Sequence, residues 1–110
     1  MNECTDWMAM PSPENCRTIL GPMESGVYQL RNTKTNELVL FGIGKACSNR
    51  MKSLFPKPYG TGIRNNAFKR QYILANWHNL EYRTCSTDNI SIAKSIEKEL
   101  KELMNHIFNT

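Results

Sequence analysis

A single acidic side chain falls where the hydrophobic pattern of this 110-residue sequence predicts an apolar helical surface. At about 100° per residue, Glu97 shares one side of a C-terminal helix with Ala93 and Leu100. A carboxylate directed at a core or cleft needs a cation, which a metal ion or an arginine would supply. Glu97 also lies four residues before Lys101, so an ion pair on the helix surface is the structural alternative.

A second candidate is Arg50, which ends the segment GIGKACSNR of residues 42–50. A guanidinium presents a planar fork of donors that matches phosphate oxygens, and a helix N-terminus adds partial positive charge. The spacing of Gly42 and Gly44 fits neither the P-loop nor the dinucleotide fingerprint, which argues against an ATPase or a dehydrogenase. The alternative is an exposed arginine on a short surface helix.

Positive charge is concentrated in the middle of the chain. The segment from Leu38 to Leu80 has no Asp or Glu and a net charge of +7, whereas the remaining residues carry −3. A field of one sign on a small domain most often attracts a polyanion, although a solvated basic face is the alternative. The residues expected to contact a nucleic-acid backbone are Lys52, Lys57, Arg64, Asn65, Asn66, Lys69 and Arg70.

Other site chemistries lack a matching pattern. His78 and His106 have no Ser or Cys arranged to suggest a catalytic triad. The four cysteines show neither C-x-x-C nor a Cys/His pair at zinc spacing, so we expect free thiols. No apolar run is long enough to span a membrane and no secretory signal is visible, so we expect a soluble cytoplasmic protein that does not bind membranes.

The elements that must position these residues are three predicted strands and three predicted helices, in the order β-β-α-α-β-α. The predicted strands are residues 27–30, 37–41 and 80–85, and the predicted helices are residues 47–55, 65–77 and 88–108. Residues 1–24 are expected to form an irregular lead-in, and residues 25–110 one domain. The fold class is therefore α+β, with a mostly antiparallel sheet of about three strands flanked by helices.

Turn and helix signals support these assignments. Residues 32–36 are rich in turn formers and predict a hairpin between the first two strands. Asp88 is the expected N-cap of the last helix. The apolar side of the second helix is predicted to contain Phe68, Tyr72, Ile73 and Trp77, with Lys69 and Arg70 pointing elsewhere. The apolar stripe of the last helix is predicted to contain Ile92, Ile96, Leu100, Leu103 and Ile107.

Taken in order, these residues resemble the GIY-YIG nuclease domain over roughly residues 25–109. The first triplet appears as Gly26-Val27-Tyr28, and Leu40-Phe41-Gly42 follows at the position of the second. Arg50 lies eight positions after Gly42, where the family carries an arginine on its first helix. The remaining matches are Lys45 at a frequently basic position, Glu97 at the metal-binding glutamate and Asn109 at the terminal asparagine, with Gly42 and Gly44 in supporting positions.

The resemblance implies a metal-dependent endonuclease that hydrolyses DNA. It implies one divalent ion, Mg²⁺ or Mn²⁺, held by Glu97, with Tyr28 or Lys45 helping to activate water and Arg50 stabilising the phosphate. Leu40 stands where the second tyrosine of the family occurs. The alternative function is therefore a weakly active or inactive protein of this type that binds nucleic acid or another protein. RNA as a substrate and a homodimer in place of a monomer stay open.

Overall fold

The computed structural model describes residues 4–55, 59–60 and 67–109, which form an α+β fold around one antiparallel sheet. The strands are β1 (Met8–Ala9), β2 (Gly26–Asn32), β3 (Glu37–Gly44) and β4 (Leu80–Ser86), and they lie in the order β1-β4-β2-β3. The helices are α1 (Cys47–Met51), α2 (Ala67–Asn76) and α3 (Ile90–Leu103). Single 3-10 turns span Pro13–Thr18, Lys52–Leu54 and Trp77–Asn79. The predicted α+β class is confirmed, but the sheet has four strands instead of about three.

The additional strand, β1, comes from the segment expected to be irregular. Met8 pairs with Tyr82 of β4, and the Met10 amide donates to the Leu80 carbonyl at 3.0 Å. A strand of two residues is too short to show alternation, so only its main-chain pairing with β4 identifies it. The same N-terminal segment places Met10 and Ile19 in the main core.

The hairpin between β2 and β3 forms as predicted. The Asn32 side-chain oxygen accepts from the amides of Lys34 and Thr35 at 2.9 and 3.1 Å, and Asn36 adopts a φ of 63°. Asparagine favours both features, because its short amide mimics a backbone group and tolerates the left-handed region. However, β3 continues beyond residue 41, so Gly42 lies inside the strand and Gly44 is its last residue.

The two faces of the sheet pack against different helices. Tyr28 and Leu40 point to the first face, where α1, α2 and the N-terminal segment cover the larger core. Val27 and Ile43 point to the second face, where Ala93 and Ile96 of α3 form a smaller core. Because β3 is an edge strand, side chains from both faces can meet around it near Gly42 and Gly44.

The start and the end of α3 both differ from the prediction. The N-cap of α3 is Asn89, whose side chain accepts from the Ile92 amide, and not Asp88. The helix ends at Met104, which adopts a left-handed conformation, so Leu103 and Ile107 are exposed and do not continue the apolar stripe. An apolar period alone does not show where the backbone leaves the helix.

On α2, the burial of two neighbouring side chains is the reverse of the prediction. Phe68 is 79% exposed, although its spacing placed it on the apolar side. Arg70 is 8% exposed, although it was expected to point away from that side. The Arg70 Nε donates to the Ser53 carbonyl at 2.9 Å, which connects α2 to the turn after α1. That hydrogen bond explains the orientation of the helix.

The segment after α3 lies along the outer edge of β3. The Ile107 and Phe108 amides donate to the Leu38 and Val39 carbonyls at 3.0 and 2.8 Å. Val39 is the extra residue of a β-bulge, since Leu30 pairs with Leu40 while Arg31 pairs with Leu38. These bonds cover the first part of an otherwise open strand edge.

A disulfide joins Cys4 to Cys85 of β4, so the expectation of four free thiols is wrong for this pair. The two residues are separated by 81 positions and are paired as an isolated antiparallel bridge. Sequence spacing contains no signal for such a pair, because strand register decides it. Cys16 and Cys47 are free and buried. Among the described residues, no helix has the length and apolar character needed to cross a membrane.

Candidate functional site

Tyr28 lies against Gly42 on the first face of the sheet. The two residues are direct cross-strand partners, and Tyr28 is only 6% exposed. A Cβ added to Gly42 would collide with the phenol oxygen and ring of Tyr28. The absence of a side chain at position 42 therefore allows the tyrosine to lie flat across β3, with its hydroxyl near the strand edge.

Arg50 packs beside Gly44 in the same way that Tyr28 packs against Gly42. A Cβ at Gly44 would lie 3.0 Å from the Arg50 Cβ and 3.5 Å from its Cγ. Gly42 and Gly44 are two residues apart on one strand and so point to the same face. The two glycines thus leave bare backbone, without side chains, on this face of β3. Tyr28 and the aliphatic part of the Arg50 side chain pack against it.

The pKa of Tyr28 reveals which groups surround its hydroxyl. Burial raises this pKa above the ordinary value of about 10. Arg50 opposes the rise through its charge and a hydrogen bond to the phenol, and Glu97 adds a further rise through its negative charge. Arg50 and Glu97 are therefore within electrostatic reach of Tyr28, although the three sequence-predicted residues come from β2, α1 and α3.

Lys69 belongs to the same group of charges. Burial lowers the pKa of the Lys69 amine, and the nearby charges of Arg50, Arg70 and Lys101 lower it further, while Glu97 opposes them. Burial likewise lowers the pKa of Arg70, with Arg50 adding to the effect. Tyr28 is thus within electrostatic reach of Arg50, Arg70 and Glu97, and Lys69 is within reach of Arg50, Arg70, Lys101 and Glu97. We call the four cations and Glu97 the charged cluster, and like-charge crowding of this kind favours an anionic ligand.

Glu97 is held within this cluster by its own helix. Its Oε1 lies 3.9 Å from the Nζ of Lys101 one turn later, and its side chain is 28% exposed. The ion pair named as the structural alternative is therefore present. It does not isolate Glu97 from the cluster, because the carboxylate also acts on Tyr28 and Lys69.

The donor set around Glu97 bears on the implied metal ion. Among the described residues, no group of three or more His, Cys, Asp or Glu side chains could hold a metal. Mg²⁺ commonly binds through one or two carboxylates, several waters and the phosphate oxygens of a substrate. Glu97 would supply one carboxylate to such an ion, with waters and substrate oxygens completing its ligands.

The other sequence-predicted residues contribute in different ways. Lys45 is exposed and is not among the groups that shift the pKa of Tyr28. Lys52 is half-buried in the 3-10 turn after α1. Asn109 donates to the Lys101 carbonyl at 2.8 Å, which ties the chain end to α3 behind the site. Four predicted contacts lie outside the described residues, namely Lys57, Arg64, Asn65 and Asn66.

Sequence reasoning assigned Lys69 only to the nucleic-acid backbone and missed its position beside Glu97 and Arg50. Lys69 lies three residues before Tyr72 and four before Ile73, so a helix places it on the same side as these two residues. This spacing is the sequence signal that could have located it. Comparison with models of protein families, with curated proteins and with solved structures found no match to this chain. The resemblance to the GIY-YIG domain stays a prediction, and the geometry described above is independent of it.

Proposed function

We propose that this protein is a metal-dependent endonuclease that hydrolyses phosphodiester bonds in DNA at a GIY-YIG-like site. The observation that supports the proposal is that Tyr28 and Arg50 pack beside the bare backbone of Gly42 and Gly44, with Glu97 within electrostatic reach of the Tyr28 hydroxyl. Phosphodiester hydrolysis needs an oriented nucleophile and positive charge on the phosphate oxygens. The cluster offers a hydroxyl, a guanidinium and a carboxylate for these tasks.

The side chains around Gly42 and Gly44 suggest which group would perform each part of the reaction. Tyr28 stays neutral near neutral pH because burial raises its pKa, so its hydroxyl orients a water molecule and does not remove the proton. Lys69 releases its proton more readily than an ordinary lysine, since burial and neighbouring cations lower its pKa. Its charge beside Arg50 would still attract the substrate phosphate, and Lys45 stays the lysine that the resemblance implies for activating water. Arg50 binds the phosphate oxygens through its planar fork.

Glu97 would hold the divalent ion, Mg²⁺ or Mn²⁺, together with the substrate phosphate. When bound, such an ion stabilises negative charge on the phosphate and lowers the pKa of its water ligands. Lys69 and Lys101 lie near the carboxylate and would add positive charge beside the substrate phosphate.

A binding protein without efficient cleavage is the second candidate, and Leu40 favours it. Leu40 is 1% exposed, pairs with Leu30 across the strands and belongs to the main core. It supplies no hydroxyl where the family carries its second tyrosine. Such a protein would use the same cations to bind nucleic acid and would not hydrolyse it.

Nicking of supercoiled plasmid separates the two candidates. We expect the protein to convert supercoiled DNA to nicked or linear forms with Mg²⁺ or Mn²⁺, and not with EDTA. Glu97→Gln should lower the rate by about 100-fold or more, because it removes the carboxylate charge that holds the ion. The same helix provides matched controls in Glu99→Gln and Glu102→Gln, whose side chains are exposed.

Three outcomes are informative. Loss of nicking in the Glu97 variant alone supports the endonuclease. Equal loss in all three glutamate variants would show a general charge effect and count against the site. A wild-type protein that is inert on DNA and RNA but retards both in a gel would refute cleavage and support the binding protein.

A further inference from the structure

Phe68 is the exposed aromatic side chain of α2 nearest to the charged cluster. It lies in the first turn of α2, is 79% exposed and directly precedes Lys69. Consecutive Cα atoms are about 3.8 Å apart, so the side chain of Phe68 starts beside that of Lys69, one member of the charged cluster, and points about 100° around the helix from it. The opposite side of the same helix buries Ile73 and Arg70, which fixes Phe68 outward.

The charges next to Phe68 indicate what contacts its ring. Within the charged cluster, the charges of Arg50, Arg70 and Lys101 all act on Lys69, the residue next to Phe68, and Glu97 supplies the one opposing charge. An apolar protein surface gains little beside such a concentration of positive charge, whereas a phosphate backbone is attracted to it. An aromatic ring beside a basic groove is the combination with which proteins bind unpaired nucleotides.

A continuous duplex does not offer the necessary contact. Its bases are stacked on each other, so an aromatic side chain reaches a base face only where a nucleotide is unpaired or turned out of the helix. The ring of Phe68 therefore fits a nucleic acid that carries an unpaired nucleotide next to the phosphate in the cluster.

We propose that Phe68 stacks on an unpaired base and thereby selects nucleic acids with a single-stranded branch or gap over continuous duplex. This inference rests on the nucleic-acid binding of the proposed function but not on cleavage. Phe68 would act as a specificity residue, positioned by α2 beside the phosphate contacts of Arg50 and Lys69. The cations attract continuous and branched nucleic acids alike, so stacking on Phe68 would account for the preference between them.

The test measures binding by fluorescence anisotropy in EDTA, with a labelled continuous duplex and the same duplex carrying an unpaired branch. Base stacking on an aromatic side chain is worth about 1–3 kcal/mol per base, which corresponds to about 5- to 150-fold in affinity. Phe68→Ala should weaken binding of the branched DNA by this factor and change binding of the continuous duplex by less than about twofold. Phe68→Trp should restore the preference. Gln71→Ala, an exposed change on the same helix, is the matched control.

A second measurement reports stacking directly. 2-Aminopurine in the unpaired branch changes its fluorescence when it stacks, so wild type and Phe68→Trp should shift the signal and Phe68→Ala should not. Equal weakening of both DNAs, or no change in either, would overturn the role of Phe68 while leaving the endonuclease proposal intact. A Phe68→Ala effect confined to self-association would also overturn it. Absence of all nucleic-acid binding would overturn both proposals, whereas a Phe68-dependent preference without nicking would refute cleavage alone.

Discussion

The two faces of the sheet contain similar residues but use them differently. On the second face, Arg31 donates through Nε and Nη2 to Glu81 at 2.9 and 2.6 Å. The guanidiniums of Arg31 and Arg83 lie 4.4 and 4.8 Å from the centre of the Trp7 ring. On the first face, cations crowd around Tyr28 and shift one another's pKa values.

A hydrogen-bond chain completes the second face. The Arg83 Nε donates to Gln29 at 2.9 Å, and the Gln29 amide contacts His106 Nε2 at 2.8 Å. Arg31, Arg83 and Gln29 thus have hydrogen-bond partners within the protein, whereas the Nδ1 of His106 has none among the described residues. On the first face the excess of like charge favours an outside anion. The comparison therefore connects the second face with stability, and the proposed function would use the first face for ligand binding.

The largest expected effect tests this division with two arginines. Arg50→Ala should lower the nicking rate by about 100- to 1,000-fold, the usual loss on removing one group that stabilises transition-state charge. Arg31→Ala should leave nicking unchanged and lower the free energy of unfolding by about 1 kcal/mol, since its partly exposed ion pair is screened by solvent. Plasmid nicking and urea unfolding measure the two effects. Similar nicking rates in the two variants would contradict the proposal that Arg50 acts in the reaction while Arg31 only stabilises the fold.

The disulfide belongs to the stabilising face, because Cys85 shares its side of β4 with Arg83. Cys4→Ala should lower the free energy of unfolding by about 2–4 kcal/mol, because it frees a loop of some 80 residues in the unfolded chain. The folded variant should still nick DNA.

Reduction of the wild type provides the control for this prediction. Its unfolding free energy should fall to the value of the variant, and mass spectrometry after alkylation should find only Cys16 and Cys47 modified before reduction. Equal unfolding free energies of the reduced and oxidised wild type would show that the disulfide does not stabilise the second face.

The smallest expected effect is a pH dependence of stability from His106. Burial lowers the pKa of this imidazole below its ordinary value of about 6.5. The unfolded chain therefore binds the proton first as pH falls, so the contribution of His106 is complete above about pH 6.5 and is lost below it. A protonated Nε2 would also face the Gln29 amide, which already donates to it.

Urea unfolding at several pH values measures this contribution. The difference in unfolding free energy between wild type and His106→Gln should shrink as pH falls through 6. His78→Gln is the control, since His78 is exposed. A difference that stays constant with pH would show that His106 stabilises the fold only by packing against Phe41.

Several features of the fold were predictable because they depend on local chemistry. The turn formers of residues 32–36 and the long apolar periods along the chain predict the hairpin and the helices. Other features depend on contacts between distant residues. Strand β1, the end of α3 at Met104 and the exposure of Phe68 were missed, because main-chain pairing and the Arg70 to Ser53 bond decide them.

The sequence by itself determined which residue types were present for phosphate chemistry, their order, and the concentration of positive charge between Leu38 and Leu80. Only the tertiary structure decided that Tyr28 and Lys69 are each within electrostatic reach of Arg50 and Glu97, and that Lys45 is not among the groups acting on Tyr28. The physical reason is that these residues come from different elements. Their distances follow from strand register, the bare backbone at Gly42 and Gly44, and the packing of α3 around the edge of β3.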